Sequence, residues 1–133
     1  MKKRLKINLK DMFADTDFIL AIIKESDWLK ERVGIILREY KGKITTSISV
    51  MLEVAIVCKR LNMNIIEVYT NTFKIIEVNS KDYSICLKAA VYIEEDGLNV
   101  FDAFHAASSS DNIIISSDSV YDKIGIKRLK LEE

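Results

Sequence analysis

Four carboxylates stand where an α/β chain would gather ligands. Asp15 ends the apolar triplet Met12-Phe13-Ala14, and Asp118 follows the apolar run Ile113-Ile114-Ile115 and two serines. Glu53 lies two helical turns into the segment after Ile44-Thr45-Thr46-Ser47. Asp102 interrupts a helical stretch whose neighbours Val100, Phe101, Ala103, Phe104, Ala106 and Ala107 leave little polar face. Ligands of open α/β sheets bind beyond the carboxyl ends of the strands, so Asp15, Glu53 and Asp118 are expected near one sheet edge. Four carboxylates cannot share a small space without raised pKa values or a cation. A divalent metal is the simplest partner, and hard oxygen donors favour Mg²⁺ or Mn²⁺.

Each acid also has a plain structural use. Asp17 and Asp118 suit the N-cap of the helix that follows each. Glu53 alone fits a solvated helix face. Asp122, four residues beyond Asp118, shares a helix face with it and can support a ligand, or close a cap with Ser119. His105, the single histidine, is one turn after Asp102. A packed or partly exposed helix residue suits it better than a general base, because metal-water chemistry does not require it.

The elements that must hold these residues alternate. Residues 12–14 read as a short buried strand and 18–24 as a helix with Thr16 or Asp17 as its cap. A second helix spans 26–42, opened by Ser26 or Asp27 and closed by Gly42. A β-branched strand covers 43–47. Helices follow over 50–62 and 64–73, then a strand over 73–78. A long amphipathic helix runs over 80–97 and a shorter one over 99–110, with Asn99 as its cap. A strand at 112–117, a short helix at 118–125 and a strand at 126–132 complete the pattern. This alternation indicates an α/β fold, a single-domain α/β/α sandwich with a mostly parallel central sheet. Continuous apolar strands fit a sheet covered on both faces.

Composition bounds the rest. The chain has 133 residues, one domain's length, and 49% of them are apolar. Twenty basic residues balance 20 acidic ones, so whole-protein charge does not direct it to nucleic acid or anionic lipid. No apolar run approaches the roughly 20 residues that span a bilayer. Residues 1–11 form a basic extension or edge strand with Leu5, Ile7 and Leu9 alternating, and residues 12–133 form the domain. Cys58 and Cys86 sit among apolar neighbours and read as buried free thiols. A cytoplasmic protein fits this best.

The pattern "FADTDFIL", "TTSISVMLEV", "GLNVFDAFHAA" and "IIISSDSVYDKIG" resembles the PIN domain, in particular the short VapC-like toxins, from about Met12 to the C terminus. The resemblance implies that Asp15, Glu53, Asp102 and Asp118 are metal-binding and catalytic residues, holding one or two Mg²⁺ or Mn²⁺ ions. Asp17 stands where the family often has Asn, and Ser47 matches a small hydroxyl residue near the metal. Asp17, Ser47 and Asp122 are secondary candidates. The implied function is a metal-dependent ribonuclease that hydrolyses RNA phosphodiesters, the toxin of a toxin–antitoxin pair. Its partners would be RNA, a small antitoxin protein and a second copy of the chain.

The alternative within the fold is an RNA-processing or non-catalytic RNA-binding protein. A haloacid-dehalogenase-like phosphatase is a weaker reading. Its Asp-x-Asp motif wants Thr or Val two residues on, and here Ile19 stands there. A phospho-accepting receiver domain would want an acid after the third strand and a lysine after the last, and neither is present. Lys24, Lys30, Arg32 and Arg38 could rim an RNA groove. The homodimer is expected through the early helices, where Ile22, Ile23, Trp28, Ile35, Ile36 and Leu37 are more apolar than one sheet can cover, together with the next helix near Ile56.

Overall fold

The computed structural model describes residues 12–24, 30–109 and 111–131. The expected extension over 1–11, and Ser26, Asp27 and Trp28 at the start of the second helix, lie outside the described residues. Strand β1 (Met12–Phe13) leads into helices α1 (Thr16–Ile23) and α2 (Lys30–Glu39), then β2 (Ile44–Thr45). Four helices follow: α3 (Ile48–Arg60), α4 (Ile65–Thr72), α5 (Ser80–Asp96) and α6 (Val100–Ser109). Strand β3 (Ile114–Ser116), helix α7 (Val120–Lys123) and strand β4 (Arg128–Lys130) close the order.

Short polar side chains set where the helices start. Ser47 accepts from Val50 N at 3.3 Å to open α3, and Asn64 accepts from Glu67 N at 2.9 Å to open α4. Glu94, from α5, takes a second free donor of α4, Ile65 N, at 2.6 Å. Gly97 ends α5 with φ 71, a left-handed position where a Cβ would be strained. Two caps differ from expectation: Ser119, not Asp118, stands at the N-cap of α7, and neither candidate caps α1. Asp15, not Thr16 or Asp17, caps α1, because its extended backbone (φ −84, ψ 174) lets the carboxylate accept from Thr16 N.

Strand pairing is parallel throughout but divided. β1 pairs with β2, Met12 opposite Ile44, and β3 pairs with β4, Ile115 opposite Leu129. The described strands therefore form two separate parallel pairs, where the sequence suggests one central sheet. The strand expected at 73–78 reduces to a bridge between Thr45 and Glu77. The cause is local: Ile75 N and Ile76 N both bond back to Thr72 O, at 3.0 and 2.9 Å. That closes the end of α4 and leaves Glu77 to meet β2, with Glu77 N on Ile44 O at 2.9 Å.

The core lies among α3, α4, α5 and α6, with α1 packed on α3. Met51, Val54, Ile65, Tyr69 and Ile76 are fully buried, and the Tyr69 hydroxyl donates to Met51 O. Cys58 and Cys86 are free and buried there, as the sequence indicates. Burial pushes their thiols up to about 11 and about 12, with Glu94 adding to the first and Asp82 to the second. Ile22, Ile23, Ile36, Leu37 and Ile56 pack partly against this core, while Ile35 is exposed. The apolar strand at 113–115 is covered on one side only. Ile113 and Ile115 are exposed, as are Leu129 and Leu131 along β4. Among the described residues, no helix is long and apolar enough to cross a membrane.

Candidate active site

The first two acids meet through a threonine. Asp15 lies just beyond β1, and its Oδ1 accepts from Thr16 N at 2.7 Å. The Thr16 hydroxyl donates to Glu53 Oε1 at 2.7 Å, which ties the start of α1 to the middle of α3. Both carboxylates remain exposed. Val54 and Ala55, the next residues after Glu53 in α3, face the core, so helical spacing turns Glu53 outward. A cleft of about 300 Å³ opens beside Asp15, with Asp17 on its rim and Phe13, Phe18 and Ile36 among its walls.

The other two acids both lie within electrostatic reach of one phenol. Asp102 sits in the first turn of α6, half-buried, with its N–H on Asn99 Oδ1 at 2.8 Å and its Oδ2 accepting from Asn99 Nδ2 at 2.8 Å. Asp118 follows β3. Its N–H donates to Ser116 Oγ at 3.0 Å, and its Oδ1 accepts from Val120 N at 2.9 Å. Tyr121, one turn past Asp118, is buried and close enough to both acids to feel their charge. Burial raises its pKa first, and the charges of Asp102 and Asp118 and a hydrogen bond to Asp102 raise it further. The same hydroxyl lies 3.5 Å from His105 Nδ1.

The remaining sequence candidates are occupied elsewhere. Asp122 is clamped by Arg128, whose Nε and Nη2 donate to its two oxygens at 3.1 and 2.9 Å. Those bonds hold its carboxyl below the usual carboxylate range. Arg128 also donates from Nη1 to Ser116 O at 2.9 Å, so the clamp fixes the end of β3 two residues before Asp118. Ser47 caps α3 and lies 2.9 Å from Ser49 Oγ. Asp17 is exposed in the first turn of α1. Lys30 donates to Ile22 O at 3.2 Å and Lys24 O at 3.1 Å, capping the end of α1. The sequence reading did not single out Thr16 or Tyr121 as site residues. Their roles come from contacts 37 and 19 positions away, and only Tyr121's place one turn past Asp118 hints at either.

The donor set fits a hard divalent cation in type, since all four groups are carboxylates. As placed, the acids stand in two pairs: among the described residues no three of His, Cys, Asp and Glu converge on one ion position. Asp15 and Glu53 would hold a cation from the β1 side, Asp102 and Asp118 from the β3 side. Two larger cavities, about 500 Å³ between α5 and α6 and about 550 Å³ beside β3 and β4, are lined by none of the four.

No curated protein and no solved structure gives a match to the chain. The family model for the PIN domain matches residues 12–127, a span that contains both acid pairs and every described element up to the start of β4, and the chain belongs to the PIN domain family.

Proposed function

We infer that the chain is a nuclease from its family, since PIN domains are generally nucleases and generally use divalent metal ions. We propose that this chain is a metal-dependent endoribonuclease in which Asp15, Glu53, Asp102 and Asp118 hold Mg²⁺ or Mn²⁺. The observation that carries the reading is the meeting of Asp15 and Glu53 at Thr16, whose N–H donates to the first carboxylate and whose hydroxyl donates to the second. Two acids from distant segments are joined by one threonine, and the bond from its hydroxyl to Glu53 is not one that helix capping requires. A bound divalent ion supplies Lewis-acid stabilisation of the phosphoryl oxygens and a more acidic water. The chain's own part is to orient the carboxylates. Thr16 steadies Glu53, Asn99 steadies Asp102, and the turn after β3 steadies Asp118. The two strand pairs would then be halves of one parallel sheet with the acids along its carboxyl edge.

The same reading extends to a toxin with a small antitoxin partner and to a homodimer. Exposed Ile35, and the row Ile113, Ile115, Leu129 and Leu131, offer apolar surface for association.

The test uses a labelled RNA pool with the full-length protein. Cleavage should need Mn²⁺ or Mg²⁺ and stop with a chelator. Millimolar Mn²⁺ should also raise the melting temperature of the wild type by linkage, and of Asp15→Asn much less. Cleavage that persists in chelator, or in a folded Asp15→Asn protein, would overturn the proposal.

A further inference from the structure

One aromatic ring stands in the open beside the first acid. Phe104 lies in the core and Phe18 and Phe73 pack against it, whereas Phe13 is 58% exposed. The strand explains the placement. Ala14 N donates to Thr45 O at 2.8 Å, and Asp15 keeps an extended backbone, so the pleat runs from Met12 to Asp15. Met12 and Ala14 turn toward the core, and Phe13 and Asp15 share the other side.

The cleft of about 300 Å³ beside Asp15 uses that ring as a wall, together with Phe18, Ile36 and Ile44. A smaller hollow of about 170 Å³ adjoins it, sharing Asp17, Phe18 and Ile36, and reaches Arg32 on α2. Among the described residues no ion pair occupies Arg32. The groove therefore runs from Asp15, along apolar walls, to a guanidinium.

We propose that this groove is a base subsite: one nucleobase of the RNA stacks on Phe13 inside the cleft, and Arg32 holds a neighbouring phosphate. The proposal rests on the ribonuclease reading above and concerns how this chain places its substrate beside Asp15.

The chemistry selects the occupant. Apolar walls offer a phosphate no hydrogen bond, and Asp15 and Asp17 at the rim repel one. A nucleobase presents a flat π-face to a phenyl ring, and such stacking accepts any of the bases. The volume lies at the lower end of the range for small-molecule pockets, which suits one base. Arg32 then supplies what the strand needs beyond that base, a cation for its phosphate.

The test titrates the full-length protein into a short, labelled single-stranded RNA in chelator, with anisotropy giving the dissociation constant. The same RNA is also made with one abasic residue at each position in turn. Phe13→Ala should weaken binding of the intact RNA at least about fivefold, the low end for one lost stack. Phe13→Trp should restore it. In the wild type, one abasic position should cost as much as Phe13→Ala does, and on that RNA the two proteins should bind alike. Arg32→Ala should weaken intact and abasic RNA by the same factor and reduce the salt slope by about one. Phe13 is exposed, so the melting temperatures of its variants should stay close to wild type. Wild-type affinity in a folded Phe13→Ala, or a loss that every abasic RNA still shows in full, would overturn the subsite and leave the groove to another occupant, such as a peptide. Absence of Mn²⁺-dependent cleavage with these binding results intact would overturn the metal reading and leave the subsite standing.

Discussion

Helices α5 and α6 begin alike and end up in different surroundings. At α5, Asn79 Oδ1 accepts from Asp82 N at 2.9 Å, and Asn79 Nδ2 donates to Asp82 Oδ2 at 3.2 Å. At α6, Asn99 and Asp102 repeat the arrangement at 2.8 Å in both bonds. Both aspartates are half-buried. The cap therefore accounts for the local bonds of Asp102 without giving it a function. What separates the two is what arrives from elsewhere in the chain. Asp82 stands one turn before the buried thiol of Cys86 and adds to the rise in its pKa. Asp102 lies near the buried Tyr121 of another element, whose pKa its charge and that of Asp118 both raise. The same Asn-x-x-Asp segment is a helix start in one place and half of a site in the other.

The sharpest way to break this comparison is to neutralise each aspartate in turn. Asp102→Asn should lower RNA cleavage by at least about a hundredfold, the upper end of what losing a mere support costs. Asp82→Asn should leave cleavage at the wild-type rate. Equal losses in two folded proteins would mean that α6 is no more special than α5. A smaller effect is expected from the caps. Asn79→Ala and Asn99→Ala should each cost about 1 kcal/mol in chemical denaturation, since each loses the same bond. Only Asn99→Ala should also slow cleavage.

The smallest effect concerns the clamp behind Asp118. Arg128's hydrogen bonds, and its charge with that of Lys130, hold Asp122's carboxyl below its ordinary range. A depressed carboxylate contributes its stability above the unfolded value, near 4, and loses it as pH falls through the folded one. The melting-temperature gap between wild type and Asp122→Asn should thus be full at neutral pH and close below about pH 4. A gap that is constant across that range would show that the clamp does not depend on the charge of Asp122.

Much of this was legible in the sequence, and the reasons for the rest are specific. Asp102 could be singled out because a charge amid Val100, Phe101, Ala103 and Phe104 breaks the expected pattern. The Asn99 cap of α6, the glycine stop at Gly97 and the order of the elements follow from local chemistry. The segment 73–78 did not, because its apolar residues fit a strand as well as they fit the close of α4, and the carbonyl of Thr72 decides the matter. Thr16 bonding Glu53, Tyr121 approaching His105 and Lys30 capping α1 are matters of approach between elements, which periodicity does not encode. The division of the strands into two pairs belongs to the same class.

The two cysteines of the core make the molecule its own clock. Alkylation and disulfide exchange require a thiolate, and Cys58 and Cys86 are both enclosed and pushed far above neutral pH in the folded chain. Each thiol regains an ordinary reactivity only in the moments when α3 or α5 opens. The rate at which a reagent marks each one therefore counts openings of a different helix. A chain without disulfides so carries two timers, both near enough to Tyr69 to raise its pKa, each running when its own helix lets go.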